Sequence, residues 1–114
     1  MSSSTGKHDA ADVDTKEARL DHPSGILHLF GHESVPILVD ALLDLPPNRE
    51  FTKTELAEHA GVTRQTVGRY SDLLLDLDVI EPVPGTSPRR YRVADSPVVR
   101  EIHELNSALN ASSE

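Results

Sequence analysis

Residues 52–77 read TKTELAEHAGVTRQTVGRYSDLLLDL, and the spacing of two threonines, one glycine and one apolar stripe within them decides the fold. Thr52 and Glu55 have the N-cap and N3 spacing of a capping box, in which each side chain accepts from the other residue's amide, so a helix is predicted from Lys53. Gly61 follows the last residue of that helix, where a left-handed backbone costs a residue without a Cβ little, and Val62 can then turn inward. Thr63 is suited to cap a second helix by accepting from the amide of Gln65 or Thr66, which sets its start near Arg64. On that helix Val67, Tyr70, Leu74 and Leu77 recur at spacings of three and four and form the inward stripe. Arg64, Gln65, Thr66, Arg69 and Asp72 are left nearer the other side, and the small Ala57 lets the two helices approach closely.

Working outward, Val79, Ile80 and Val83 make a short extended run, PGTSP at 84–88 makes a loop, and RRYRV at 89–93 returns as a second strand. Alternation puts Tyr91 and Val93 on one face of that strand and Arg90 and Arg92 on the other. Pro82 has no amide to donate, so the first strand is expected to be a short edge strand or to bulge there. Upstream, a helix is predicted over Val35–Leu45, capped by Ser34, tolerating Pro36 in its first turn and ended by Pro46 and Pro47. Ile37, Leu38, Ala41, Leu42 and Leu45 give it an apolar face to cover the following pair. Phe51 is expected in the core, and its segment can add a third short strand to the hairpin. The expected fold class is mainly α with a small β-hairpin (α+β): a three-helix core, a two- or three-stranded small sheet and a C-terminal helix.

Two helices joined by a sharp glycine turn are what a helix-turn-helix requires, and its second helix enters the major groove of DNA. On that reading Arg64, Gln65 and Arg69 reach base edges or nearby phosphates. Thr63 and Thr66 bond phosphate at the helix N-terminus, where the peptide dipoles favour an anion. Arg89, Arg90 and Arg92 extend over the flanking backbone or into a narrow minor groove. Helix pairs of this kind also occur in proteins that never touch nucleic acid.

The segment from about Leu29 to Val93 resembles a winged helix-turn-helix DNA-binding domain of the archaeal transcription-regulator type. The residues that carry the likeness are LFGHESVPILVDALL at 29–43, TELAEHAGVTRQTVGRYSDLLLDLDVIE at 54–81 and PRRYRV at 88–93. The likeness covers somewhat more than half the chain. It implies an order of helix, short strand, the two helices of the DNA-reading unit, a two-stranded wing and a further helix, with a recognition helix over 64–77 and a wing over 80–93. Such a protein is expected to act as a transcriptional regulator, with repression by blocking polymerase as the commoner output. This chain has Ser34, Val35 and Pro36 where members of this type often carry a basic residue, so a phosphate contact there is not carried over.

A formal net charge of −8 opposes binding to a polyanion, since nucleic-acid binders are usually basic. Residues 1–50 hold nine acids against four bases and residues 94–114 four against one, while residues 51–93 balance at six and six. The excess therefore lies outside the helix pair and hairpin. Asp72, Asp76, Asp78 and Glu81 fall late in the second helix or in the turn beyond it, whereas Arg64 and Arg69 lie earlier and Arg89, Arg90 and Arg92 lie in the hairpin, so one face can be locally positive. Three lysines among nineteen acids, with arginine supplying most positive charge, resemble the composition of cytoplasmic proteins of salt-loving archaea. In molar salt the Debye length falls to about 3 Å, which screens distant acids while sparing contact-range arginine pairs. The same salt weakens phosphate binding, so base contacts and a second half-site must supply more of the affinity.

A second half-site implies a homodimer, and a candidate seam lies at the C-terminus. Val98, Ile102, Leu105 and Leu109 follow at four, three and four residues, on a helix with Ser96 as cap and Pro97 in its first turn. The same stripe can instead pack on its own domain. Ile26, Leu27, Leu29 and Phe30 can lie beside it and enlarge an interface.

The chain divides into an acidic tail over 1–22, expected to be disordered, a winged helix domain over 23–95, a C-terminal helix over 96–110 and a frayed end over 111–114. It has no cysteine for disulfides or thiolate metal sites, no apolar run of about 20 residues to span a bilayer, and no secretory h-region. A cytoplasmic protein is expected. His28 and His32 stand four apart with His22 near, which raises a metal- or pH-responsive regulator as a rival, although Gly31 disfavours one continuous helix through them. His59 lies on the first helix of the pair, in reach of a phosphate, and His8 lies in the tail. A protein-docking winged-helix module is the other rival. No phosphate-cradling glycine loop, nucleophile elbow or zinc-ligand cluster appears, so no enzyme, metal or cofactor is expected, and the sequence leaves a small-molecule effector open.

Overall fold

The computed structural model describes residues 15–113. Its elements are α1 (Gly25–Phe30), α2 (Val35–Leu43), α3 (Lys53–Ala60), α4 (Arg64–Asp76), β1 (Ile80–Val83), β2 (Arg90–Val93) and α5 (Pro97–Ser113). The architecture is mainly helical with a two-stranded antiparallel sheet, as expected for the α+β class.

Both ends carry more helix than the composition suggested. Residues 15–21 are helical with exposed side chains, where a structureless tail over 1–22 was expected, and the first fourteen residues of that tail lie outside the described residues. Lys16, Glu17, Ala18, Arg19 and Leu20 are all strong helix formers, which accounts for the difference. At the other end α5 runs to Ser113, whose Oγ donates to the Leu109 carbonyl at 3.0 Å, so residues 111–113 are helical rather than frayed.

The first core helix also departs in detail. Ser34 has helical backbone angles and no side-chain cap bond, so it is not the expected cap; the Val35 amide instead donates to the His32 carbonyl at 3.2 Å. α2 stops at Leu43, two residues early, because Pro46 excludes helical angles at Leu45. Its buried stripe is Val35, Leu38, Val39, Ala41 and Leu42, while Ile37, expected inside, is 48% exposed. One residue is about 100° of helix, so a stripe centred on Leu38 and Leu42 turns Ile37 outward. Gly31, between α1 and α2, is required: a Cβ there would lie 2.3 Å from the Leu27 carbonyl oxygen.

In the sheet, Ile80 pairs with Val93, Glu81 with Arg92, Pro82 with Tyr91 and Val83 with Arg90, with no bulge. Phe51 forms an isolated bridge to Tyr91 on the other side, with both amide-to-carbonyl bonds at 2.8 Å. Tyr91 therefore spends its backbone groups on Phe51 and sits opposite Pro82 in a pair without hydrogen bonds. The missing amide of Pro82 faces the open edge of β1, where its loss leaves no ladder bond unmade.

Leu38, Leu42, Leu56, Leu74, Val35 and Val67 are the largest fully buried side chains, so α2, α3 and α4 meet around one core. Phe51, Val79, Ile80 and Tyr91 close it from the sheet side, and Leu29 of α1 completes it. Burying a leucine or valine in this way contributes about 1.5–3 kcal/mol each relative to exposure.

Candidate nucleic-acid interface

Two capped helix starts and one loop frame the exposed polar surface. At α3 the Thr52 amide donates to Glu55 Oε1 at 2.8 Å and the Glu55 amide donates to Thr52 Oγ1 at 3.1 Å, completing the expected capping box. The Thr52 amide is the main reason the Glu55 carboxyl is held below its ordinary pKa, with Arg90 adding to the effect and burial opposing it. Gly61 then adopts φ +76°, ψ +30°, and the Val62 amide donates back to the Ala57 carbonyl at 3.0 Å, which reverses the chain within two residues. At α4 the Thr66 amide donates to Thr63 Oγ1 at 3.1 Å, and the two threonine hydroxyls are 2.9 Å apart. One hydroxyl proton is used within that pair, leaving the other free for an external acceptor.

With both starts set, the faces of α4 follow. Val67 and Leu74 are buried, Tyr70 is half-buried, and Ser71 is buried with its Oγ donating to the Gly68 carbonyl at 3.2 Å. Leu77 is the half-buried C-cap residue. Arg64, Gln65, Gly68, Arg69 and Asp72 are exposed along the outer side, and Thr66 is half-buried at its edge.

A cleft of about 420 Å³ opens where α3, α4 and the hairpin loop converge, lined by Lys53, Thr54, Arg64, Pro88, Arg89 and Tyr91 together with Thr52. Cations from three separate elements thus face one hollow. Lys53 is the residue the sequence reading missed. A signal existed, because a lysine in the first turn of a helix opposes the helix dipole and gains nothing for the helix itself.

The expected arginines divide into two groups. Arg64, Arg69 and Arg89 have no ion-pair partner among the described residues. Arg90 and Arg92 are already paired: Arg90 Nη1 lies 3.5 Å from Glu55 Oε1, and Arg92 Nε donates to Glu81 Oε2 at 2.8 Å across the β1–β2 register. Spacing along one strand places such arginines on a face; it cannot show which acid the facing strand or helix supplies.

Among the described residues the histidines do not gather. The ring Nε2 of His59 donates to the Ala41 carbonyl at 3.0 Å, so that atom is engaged inside the protein rather than offered outward. His32 stacks obliquely on Tyr70 with centroids 5.2 Å apart, and α1 ends before it, so His28 and His32 do not share a helix. Among the described residues no three histidines or carboxylates come together as a metal site needs, and no helix is long and apolar enough to cross a membrane.

The C-terminal stripe divides as well. Ile102 packs against the core beside buried Val99, whereas Val98, Leu105 and Leu109 are exposed. Compared with known proteins, the chain matches no protein-family model, and no curated protein is similar enough in sequence to count as a relative.

Proposed function

We propose that this chain is a winged helix-turn-helix transcriptional regulator that binds double-stranded DNA sequence-specifically and represses by occupying promoter DNA. The observation that carries the reading is the exposed side of α4, where Arg64 and Arg69 have no acidic partner among the described residues and stand with Gln65 on a helix whose start is fixed by the Thr63 cap. In this reading α4 enters the major groove, and Gln65 and Arg69 read base edges. A backbone phosphate sits in the cleft among Lys53, Arg64 and Arg89, and the Thr63 and Thr66 hydroxyls at the start of α4 hold a second one. The β1–β2 hairpin acts as the wing over flanking DNA. No catalytic role is part of this reading, and it places the protein in the cytoplasm with the DNA it controls.

Selection of bound fragments from a random duplex pool, at low and at molar salt, tests the reading. Recovery of an enriched sequence, with retention lost in the variant carrying Arg64→Glu and Arg69→Glu, is the expected result. Absence of retention at every ionic strength would remove it in favour of a protein-docking module.

A further inference from the structure

We infer that Gly68 is a specificity-determining position at which α4 seats the 5-methyl group of a thymine against its bare Cα, an inference that rests on the reading of α4 as a major-groove helix. The fold does not need this glycine. Of the five described glycines, Gly61 and Gly85 hold φ +76° and +74°, and a Cβ on Gly31 would strike the Leu27 carbonyl oxygen. Gly25 is the first residue of α1. Gly68 lies inside α4 with no neighbour within 4 Å of an added Cβ. The Ser71 hydroxyl donates to its carbonyl at 3.2 Å, a bond to backbone that any residue can accept. Glycine is the poorest helix former after proline, so α4 is weakened at Gly68 and nothing inside the protein offsets it.

The surroundings of the gap decide what fits it. Helix side chains meet those three and four positions away, so Gly68 is bordered by Arg64 and Gln65 on one side and by Asp72 on the other, all three exposed. Arg64 also lines the cleft with Lys53 and Arg89, so phosphate is met beside the gap rather than in it. Gly68 itself offers no free polar group, because its amide belongs to the helix ladder and its carbonyl already takes the Ser71 hydroxyl. A group seated there is therefore apolar and close. Among the donors and acceptors of the major-groove edge, the apolar group that stands out is the thymine 5-methyl. An alanine Cβ would take the same space. Gln65, one turn earlier, suits adenine N6 and N7 in a bidentate pair. Three residues of helix rise are about 4.5 Å, little more than one base-pair step of about 3.4 Å, so the thymine belongs to that adenine's own pair or the adjoining one.

Replacing thymine by uracil removes the 5-methyl and leaves every donor and acceptor in place. Each thymine of the duplex recovered from the random pool is replaced in turn, and fluorescence anisotropy with the full chain reads the affinity. At one thymine, in or beside the pair whose preference is lost in Gln65→Ala, uracil is expected to weaken wild-type binding about fourfold, the contribution of one buried methyl group. Gly68→Ala is expected to bind the thymine duplex about tenfold more weakly, with a circular-dichroism melt no lower than wild type, and to regain affinity when that one thymine becomes uracil. Opposite signs at one position mark a direct contact, since a general change in α4 would treat the two bases alike. Gly68→Ser gives the same comparison if the alanine variant fails to fold. Sequence-specific binding indifferent to every uracil, or a Gly68→Ala variant that binds as wild type or stays equally weak on uracil, overturns the inference and leaves the regulator reading standing. Retention of no duplex at any ionic strength overturns both.

Discussion

The Ser96 hydroxyl donates to the Asp78 carbonyl at 2.6 Å and accepts from the Val99 amide at 3.2 Å. Asp78 is the left-handed residue, at φ +61°, that ends α4, and Ser96 caps α5, so one buried hydroxyl joins the end of one helix to the start of the other. Ser96→Ala loses the cap and leaves a carbonyl short of its donor. Urea denaturation is expected to show a loss of about 1–2 kcal/mol. A change within error would mean that α5 is seated by Val99 and Ile102 alone.

The capping box at α3 makes part of the stability dependent on pH. The Glu55 carboxyl has a folded pKa below its unfolded value because the Thr52 amide donates to it. Its contribution is therefore complete above the unfolded carboxylate value and disappears as pH falls through the folded one. Thermal melts taken from neutral to acid pH should show a steeper decline in the wild type than in Glu55→Gln, which keeps an acceptor for the amide but cannot titrate. Parallel declines in the two proteins would assign the acid sensitivity elsewhere.

Two glycines seven residues apart in the same motif respond in opposite directions to alanine. Gly61 has open space around it but holds φ +76°, so Gly61→Ala is expected to cost about 1 kcal/mol through the backbone alone. Gly68 lies inside α4 with nothing within 4 Å of an added Cβ, so Gly68→Ala is expected to stabilise by up to about 1 kcal/mol. Gly68 also lies in the middle of the exposed side, between Gln65 and Asp72. If α4 lies in a groove, the stabilised variant should nevertheless bind DNA more weakly, and calorimetric melting with fluorescence anisotropy reads the two effects separately.

Paired and unpaired arginines should differ in what they give a duplex. Arg89 faces the cleft with no acid paired to it among the described residues, whereas Arg92 is held by Glu81 at 2.8 Å. On the proposed function Arg89→Ala weakens binding and flattens the logarithmic salt slope by about one. Arg92→Ala has the smaller effect, and Glu81→Gln tightens binding by releasing Arg92. Anisotropy titrations across a salt series would show the reverse order if Arg92 rather than Arg89 holds the phosphate.

Much of this arrangement was legible in the chain because its signals are local. The Thr52–Glu55 box, the left-handed Gly61 and the Thr63 cap each depend on residues within about four positions of one another, so the sequence determined where α3 and α4 begin and how the chain turns between them. The alternation in β2 and the edge position of Pro82 are local in the same sense. Tertiary structure decided what depends on neighbours distant in the chain. Ile37 faces out because the stripe of α2 is chosen by what it packs against, and Arg90 meets Glu55 across 35 residues that no periodicity connects. Lys53 joins Arg64 and Arg89 only once α3, α4 and the hairpin loop converge. Backbone hydrogen bonds and helix caps act over a few residues, whereas burial and charge pairing are settled by whichever surfaces the folded chain brings within a few ångströms.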